Sequence, residues 1–128
     1  MSKSRGNAIM LRATADETRA LVKRAKTDTD RNISYDPETR PEVANLLLLI
    51  SLCTGESPQA IAEKLGDGGG GALKNLLTDT LNDSLAPIRA RRNELAEDAD
   101  AVVKSVLSRG TAEANRVAEA TLGEMRAR

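Results

Sequence analysis

The feature that most constrains the fold is an almost purely apolar run at residues 43–53, with Pro41 just before it and Gly55 just after it. Proline is favoured in the first turn of a helix, and glycine is favoured just beyond its end. A helix that is apolar on every side is expected to be buried on every side. The run therefore predicts a central core helix. Asn45 would then enter the core and need hydrogen-bond partners, and Cys53 would pack there as a small apolar group without chemistry.

The rest of the sequence favours further helices over strands. Apolar residues make up 40% of the 128 residues, but Tyr35 is the only aromatic one. Strands are rich in aromatic and β-branched residues, whereas leucine and alanine suit helices. The positions of capping residues, prolines and glycines predict an all-α bundle of about six helices with a flexible N-terminal loop. The predicted helices run from the capping box at Thr14 to about Thr27, from Pro41 to Gly55, from Ser57 to Gly66, over residues 72–95, from Asp98 to Gly110, and from Thr111 onward.

Two stretches interrupt this pattern. Pro87 lies inside the helical stretch 72–95 and is expected to bend or split it, because proline removes a backbone hydrogen bond. Residues 67–71 read Asp-Gly-Gly-Gly-Gly. Without a preceding strand or a following Gly-Lys-Ser/Thr, they do not match a P-loop, so they are expected to form a flexible surface connector.

Composition also excludes several functions. The chain has no histidine and a single cysteine, so it offers no histidine base, no metal-ligand spacing and no internal disulfide. No apolar run is long enough to cross a bilayer, and the N-terminus lacks a signal-peptide core. We therefore expect a cytoplasmic protein that does not act on membranes.

Charge is balanced overall, with 19 Lys and Arg against 19 Asp and Glu, but cations outnumber acids in residues 1–31. Arg19, Lys23 and Lys26 fall on one side of the first predicted helix. A second basic patch, Arg89, Arg91 and Arg92, follows Pro87. Both patches are compatible with RNA contacts, and both are equally compatible with solvated helix surfaces.

The residues at the start of the chain, Met1–Asn7, are typical of a mobile loop that binds phosphate. Lys3 supplies a flexible point charge, Ser2 and Ser4 supply hydroxyls, and Gly6 allows close backbone approach. A frayed polar terminus is the alternative reading of the same residues.

The sequence Met1-Ser2-Lys3-Ser4 resembles the Lys-Met-Ser-Lys-Ser signature of class I aminoacyl-tRNA synthetases, without its leading lysine. More specific similarity lies downstream, over nearly the whole chain. The segments Thr27–Asp30, Tyr35-Asp36-Pro37, Arg40-Pro41, Asn45-Leu46-Leu47, Thr54-Gly55 and Leu85–Arg89 follow in the order and approximate spacing found in tryptophanyl-tRNA synthetases.

This resemblance implies a function in tRNA charging. Residues 1–13 would be a remnant of the catalytic domain's signature loop, and residues 14–128 would be the helical anticodon-recognition domain. Lys3 would be catalytic, and Ser2, Lys3 and Ser4 would bind the phosphates of ATP, which acts with Mg²⁺ in the intact enzyme. The tRNA for tryptophan would be the partner, contacted by Arg89, Arg91 and Arg92, and the intact enzyme would be a homodimer. No DNA partner is expected.

The nucleotide-binding Rossmann domain of that family has no counterpart in this sequence. The resemblance therefore implies the C-terminal part of a tryptophan–tRNA ligase, beginning inside its signature loop, that is inactive and without cofactor when alone. The Tyr-Asp-Pro and Arg-Pro residues are expected to be structural. Two further hypotheses stay open: a stand-alone tRNA-binding module, and a structural or dimerisation protein that exposes apolar surface.

Overall fold

The computed structural model describes residues 6–127. Within that range the protein is all-α, as the sequence predicts. Five α-helices are present: α1 (Ala15–Lys23), α2 (Pro41–Thr54), α3 (Pro58–Leu65), α4 (Gly69–Glu97) and α5 (Ala99–Arg126), with a short 3-10 helix (Gly66–Gly68) between α3 and α4. The predicted number of about six is therefore close, although the boundaries differ in several places.

The chain divides into two compact units, one that ends at Arg89 and one that begins at Ala90. The first unit holds the hydrophobic core. Leu47, Ile50, Leu73 and Leu77 have 0–1% of their surface exposed. The other buried members of this core cluster come from α1 to α3 and from the loop before α2: Val22, Ile33, Val43, Leu46, Ile61 and Ala62. Tyr35, the single aromatic residue, packs against the cluster.

The central helix α2 is buried on one side only. Leu47 and Ile50 are fully buried, but Leu48 is 41% exposed and Leu52 is 74% exposed. Asn45 and Cys53 also lie on the exposed side. The expectation of all-round burial was therefore wrong. An apolar run indicates which residues can be buried, but the number of neighbouring helices decides how many of them are.

Helix α1 begins as predicted and ends earlier than predicted. Thr14 and Glu17 form the capping box: the Glu17 carboxylate accepts from the Thr14 amide at 2.8 Å, and the Glu17 amide donates to the Thr14 hydroxyl at 3.2 Å. The helix ends at Lys23 instead of near Thr27. Beyond the end of the helix, Lys26 donates a hydrogen bond to Glu42, and Asp28 accepts one from Arg40.

The glycine-rich stretch is not a flexible connector. The Ile33 amide donates to the Gly66 carbonyl at 2.8 Å, and the Gly69 amide donates to the Arg31 carbonyl at 2.9 Å. A Cβ built on Gly70 would lie 2.9 Å from the Thr27 hydroxyl oxygen. The glycines therefore let the start of α4 approach the loop before α2, and two backbone hydrogen bonds hold it there.

Helices α4 and α5 are longer than predicted. Pro87 does not split α4, and Gly110 with Thr111 does not separate two helices, because α5 continues from Ala99 to Arg126. No residue of α5 is buried, and its exposed apolar side chains include Val103, Leu107 and Met125. Asp98 occupies the N-cap position of α5 as expected, but its side chain makes no capping hydrogen bond.

Candidate functional site

The predicted ATP-phosphate residues Ser2, Lys3 and Ser4 lie outside the described residues, so their roles stay predictions. The described chain begins at Gly6, whose φ of 62° is left-handed. Gly6 and Asn7 line a cleft of about 430 Å³ in the first unit. The first described residues of the chain therefore border an open cleft.

The cleft is lined by both apolar and charged side chains. The apolar ones include Ile9, Leu21 and Leu49, and the charged ones are Arg24, Lys26 and Glu42. The Lys26 ammonium donates to the Glu42 carboxylate at 2.8 Å. This hydrogen bond holds the pKa of the Glu42 carboxyl below its ordinary value and raises the pKa of the Lys26 ammonium.

A second, smaller cleft of about 350 Å³ shares the lining residues Leu21 and Arg24 with the first cleft. Its lining residues are Met10, Arg12, Ala13, Glu17, Ala20, Leu21 and Arg24. A turn in which the Ala13 amide donates to the Met10 carbonyl at 2.8 Å positions Arg12. Arg12 and Arg24 thus stand on one concave surface.

Arg40 organises the loop between α1 and α2. Its Nε and Nη2 donate to the two carboxylate oxygens of Asp28, each at 2.7 Å, and its Nη1 donates to the Asn32 carbonyl at 2.7 Å and the Ser34 hydroxyl at 2.8 Å. The Arg40 side chain is only 13% exposed. The bidentate hydrogen bond from Arg40 holds the pKa of Asp28 below its ordinary value. The arrangement is structural, as the sequence suggested for the Arg-Pro pair.

Asp36 shapes the turn that precedes α2. Its carboxylate accepts from the Thr39 hydroxyl at 2.5 Å and from the amides of Glu38 and Thr39 at 3.0 Å each. The Thr39 hydroxyl is the main reason that the pKa of Asp36 lies below its ordinary value. Asp36 therefore acts as a turn residue, which agrees with the structural role expected of Tyr35-Asp36-Pro37.

Arg89 belongs to the first unit and faces α1. Its Nη2 donates to the Thr18 hydroxyl and its Nη1 donates to the Asn82 side-chain oxygen, both at 2.9 Å. Thr18 is fully buried. A neighbouring contact, from the Asn82 amide nitrogen to the Ala15 carbonyl at 3.4 Å, links the same two helices. Arg89 thus joins α4 to α1, and its predicted contact with tRNA stays a prediction.

Arg91 and Arg92 belong to the second unit. Arg91 donates to Glu94 at 2.8 Å, one turn further along the helix. Arg92 is exposed and forms no ion pair with any residue in the range 6–127. Of the three arginines assigned to tRNA binding, Arg92 is therefore the one whose charge is not neutralised by a neighbouring carboxylate or directed into a helix contact.

Among residues 6–127, no group of three or more His, Cys, Asp or Glu side chains could hold a metal ion. Over the same range, none of the helices combines the length and the hydropathy that a membrane crossing requires.

The sequence reasoning missed the pairing of Arg12 with Arg24, and it did not foresee that Arg40 would be the centre of a hydrogen-bonded network. The signal for Arg40 was present as a near-sequence cluster of Asp28, Asp30 and Asp36. No periodicity could have brought Arg12 and Arg24 together, because Arg12 lies in the turn before α1 and Arg24 lies at its end.

The described elements of the first unit are thus a helical core joined by loops that backbone and side-chain hydrogen bonds hold in place. The family model for class I tRNA synthetases (W and Y) matches residues 1–86, and the chain belongs to that family.

Within that family, three similar proteins carry the name tryptophan–tRNA ligase. The tryptophan–tRNA ligase of Thermosynechococcus vestitus is 42% identical over 107 residues, which are 84% of this chain and 32% of the relative. The tryptophan–tRNA ligase of Gloeobacter violaceus is 36% identical over 88% of this chain and 33% of the relative. Tryptophan–tRNA ligase 2 of Streptomyces avermitilis is 36% identical over 97% of this chain and 37% of the relative. The chain therefore spans about a third of the length of these relatives.

Proposed function

We propose that this chain is the tRNA-recognising helical part of a tryptophan–tRNA ligase, preceded by the loop that binds the phosphates of ATP. The observation that carries the proposal is the family match over residues 1–86, together with relatives of that name aligned over most of this chain. In the proposed division, residues 1–13 belong to the signature loop and residues 14–128 to the anticodon-recognition domain. We propose that the ligase acts in the cytoplasm.

In the whole ligase, ATP with Mg²⁺ is the proposed substrate that activates tryptophan. The Lys3 ammonium would meet the pyrophosphate as negative charge develops on it, and Ser2 and Ser4 would shape the loop and donate hydrogen bonds. A positioned cation that faces developing phosphate charge is among the larger catalytic contributions an enzyme makes.

The 128 residues alone are proposed to be inactive. Residues 6–127 form helices and loops, and the proposal assigns the adenine, ribose and tryptophan sites to a Rossmann domain that these residues do not form. The test is tryptophan-dependent ATP–pyrophosphate exchange by the purified 128-residue chain. We expect no exchange above background, and measurable exchange would overturn the proposed inactivity.

Binding to tRNA is proposed to rest on exposed cations of the helical part. Arg92 forms no ion pair in the described range, and the same holds for Lys23, the last residue of α1, and for Arg24, its C-cap. The test is binding of a transcript of the tryptophan tRNA to the full 128-residue chain over a series of salt concentrations. We expect affinity that falls steeply with salt and that is lost when the anticodon is changed. Absence of binding at low salt would contradict the proposal.

A second candidate, a stand-alone tRNA-binding module, is favoured by those same unpaired cations. It differs from the first in requiring no second domain for its biological role. Supplying the remainder of a related ligase in trans separates the two: restored aminoacylation supports the ligase part, whereas binding without restored aminoacylation supports the module. Homodimer formation is proposed only for the intact ligase.

A further inference from the structure

The four acids between residues 16 and 30 are all engaged, whereas several cations near α1 form no ion pair. Asp16 pairs with Arg19, and the Glu17 carboxylate accepts from the Thr14 amide. Asp28 and Asp30 both contact Arg40, at 2.7 Å and 4.0 Å. Over the described residues, no ion pair involves Arg12, Lys23 or Arg24, and all three are exposed. These three cations therefore have no ion-pair partner among the described residues.

Two of these cations share the smaller cleft. Arg12 and Arg24 both line it, and Glu17 is its only acidic lining residue. Because one Glu17 oxygen is already bonded to the Thr14 amide in the capping box, that carboxylate is held at the helix start. Two guanidinium groups thus border a concavity of about 350 Å³ whose lining carries two cations against one carboxylate. Planar guanidinium groups match the oxygens of a phosphate in a bidentate way.

Further positive charge continues beyond the cleft along the end of α1. The Lys74 ammonium donates to the Lys23 carbonyl at 3.3 Å, which places the Lys74 charge at the C-terminal end of that helix, next to Arg24. Lys74 forms no ion pair with a described residue. A row of cations that extends past one small cavity fits a polymer of phosphates better than a single phosphate group.

The remaining lining residues indicate what the cleft does not recognise. The apolar lining residues are Met10, Ala13, Ala20 and Leu21, and none of the described lining residues is aromatic. Proteins that bind unpaired bases usually stack them on aromatic rings. The cleft therefore suits a sugar–phosphate backbone more than a base.

We propose that Arg12 and Arg24 form a phosphate-contact site for an RNA backbone, with Lys23 and Lys74 extending it. The proposed site uses residues other than Ser2, Lys3 and Ser4 and other than Arg89, Arg91 and Arg92. It rests on the proposed function, because it assigns a surface to the tRNA that the chain is proposed to bind. Contacts with phosphates position an RNA without reading its sequence.

The test measures binding of the tryptophan-tRNA transcript to the full chain and to the double variant Arg12→Gln/Arg24→Gln. The matched control is Arg19→Gln/Lys26→Gln, which removes the same charge from cations that are paired with Asp16 and Glu42. We expect the double variant to bind about tenfold more weakly or worse, and its salt slope to be lower by roughly 1.5 to 2. The control should lose about threefold at most.

Each other outcome has a distinct meaning. If the unmodified chain binds the transcript and the double variant matches the control, the cleft proposal is wrong and the proposed function stands. If the unmodified chain does not bind RNA, both are wrong. If AMP displaces the transcript at a concentration near its own dissociation constant and the two arginine substitutions abolish AMP binding, the cleft is a mononucleotide site and the RNA assignment is overturned. Thermal melting of both variants checks that they remain folded.

Discussion

At the residue scale, Arg40 is the side chain on which the loop between α1 and α2 depends. It makes four hydrogen bonds to Asp28, Asn32 and Ser34 and is mostly shielded from water. A guanidinium group can satisfy several acceptors in one plane, which an ammonium group cannot. The loop carries Ile33 and Tyr35 into the core, so its conformation affects packing as well as local geometry.

Replacement of Arg40 should therefore destabilise the first unit. We expect Arg40→Ala to lower the free energy of unfolding by about 2 kcal/mol, because several acceptors lose their donor at once. Arg40→Lys should recover part of this loss but not all of it, since it cannot form the bidentate bond with Asp28. Urea denaturation measures both. Equal stability of Arg40→Ala and the unmodified chain would show that the network contributes little.

The pH dependence of stability should depend on the hydrogen-bonded pair of Asp28 and Arg40. The pKa of Asp28 is lowered in the folded protein from 3.8, chiefly by its hydrogen bond with Arg40. A carboxyl with a depressed folded-state pKa contributes its stability above the unfolded value, and that contribution is lost as pH falls through the folded-state pKa. Stability should thus decline below about pH 4.

Substitutions identify how much of this decline belongs to the pair. Asp28→Asn and Arg40→Gln should each make the decline of unfolding free energy between about pH 5 and pH 2 shallower. The double variant should show nearly the same slope as either single variant. Denaturation at a series of pH values measures the slopes. Additive effects of the two substitutions would indicate that the residues act on stability separately.

Arg89 and Arg92 should differ in the property they affect. Arg89→Ala removes the donor to the buried Thr18 hydroxyl, so we expect a loss of about 1–2 kcal/mol in the free energy of unfolding. Arg92→Ala should change stability by less than about 0.5 kcal/mol, as is usual at exposed positions, and should weaken binding of tRNA. Denaturation and binding assays on the two variants form the comparison, and a stability-neutral Arg89→Ala would contradict the assigned helix contact.

At the element scale, the two long helices continue through residues that ordinarily end helices. Pro87 lies inside α4, and Gly110 lies inside α5. Gly55, by contrast, does end a helix, with φ of 78° and a backbone hydrogen bond to the Ser51 carbonyl. Local residue type was the same at Gly55 and Gly110, but only Gly55 adopts the left-handed conformation that favours glycine.

Alanine at these two glycines should have opposite effects. A Cβ on Gly110 would meet no atom within 4 Å, so Gly110→Ala should raise helix stability by about 0.5–1 kcal/mol. Gly55→Ala should cost about 1 kcal/mol, because alanine resists a left-handed conformation. Circular dichroism during thermal melting measures both. Destabilisation by Gly110→Ala would instead support a break between two helices at that position.

At the scale of the whole molecule, the folded core and the proposed chemistry belong to different residues. The buried cluster begins at Val22 and is completed by Leu77, whereas Lys3 is the residue proposed to act on ATP. In a complete ligase that carries this sequence, Lys3→Ala should nearly abolish tryptophan activation, measured by pyrophosphate exchange. The same change should leave the melting temperature of the 128-residue chain unaltered. A shifted melting temperature would show that Lys3 also contributes to folding.

The candidate sites could be predicted from sequence only where a motif lies in consecutive residues. The capping box at Thr14 and Glu17, the Asp36 turn and the helix start at Pro41 depend on neighbours a few residues apart, and all three are present. The cleft that joins Arg12 to Arg24 depends on the path of the chain around α1, and the contact of Arg89 with Thr18 spans 71 positions. Such pairings have no signature in a single sequence.

The amino-acid sequence by itself determined that this protein is helical, because leucine- and alanine-rich periodic segments with few aromatic residues can bury their surface well only as packed helices. It also determined the starts of α1, α2 and α3, since caps and prolines act through local backbone hydrogen bonds. Only the tertiary structure decided which side of α2 is buried, that the glycines at residues 66–70 lie against the loop before α2, and which arginines keep an unpaired charge. The physical reason is that burial and ion pairing are properties of neighbours in space.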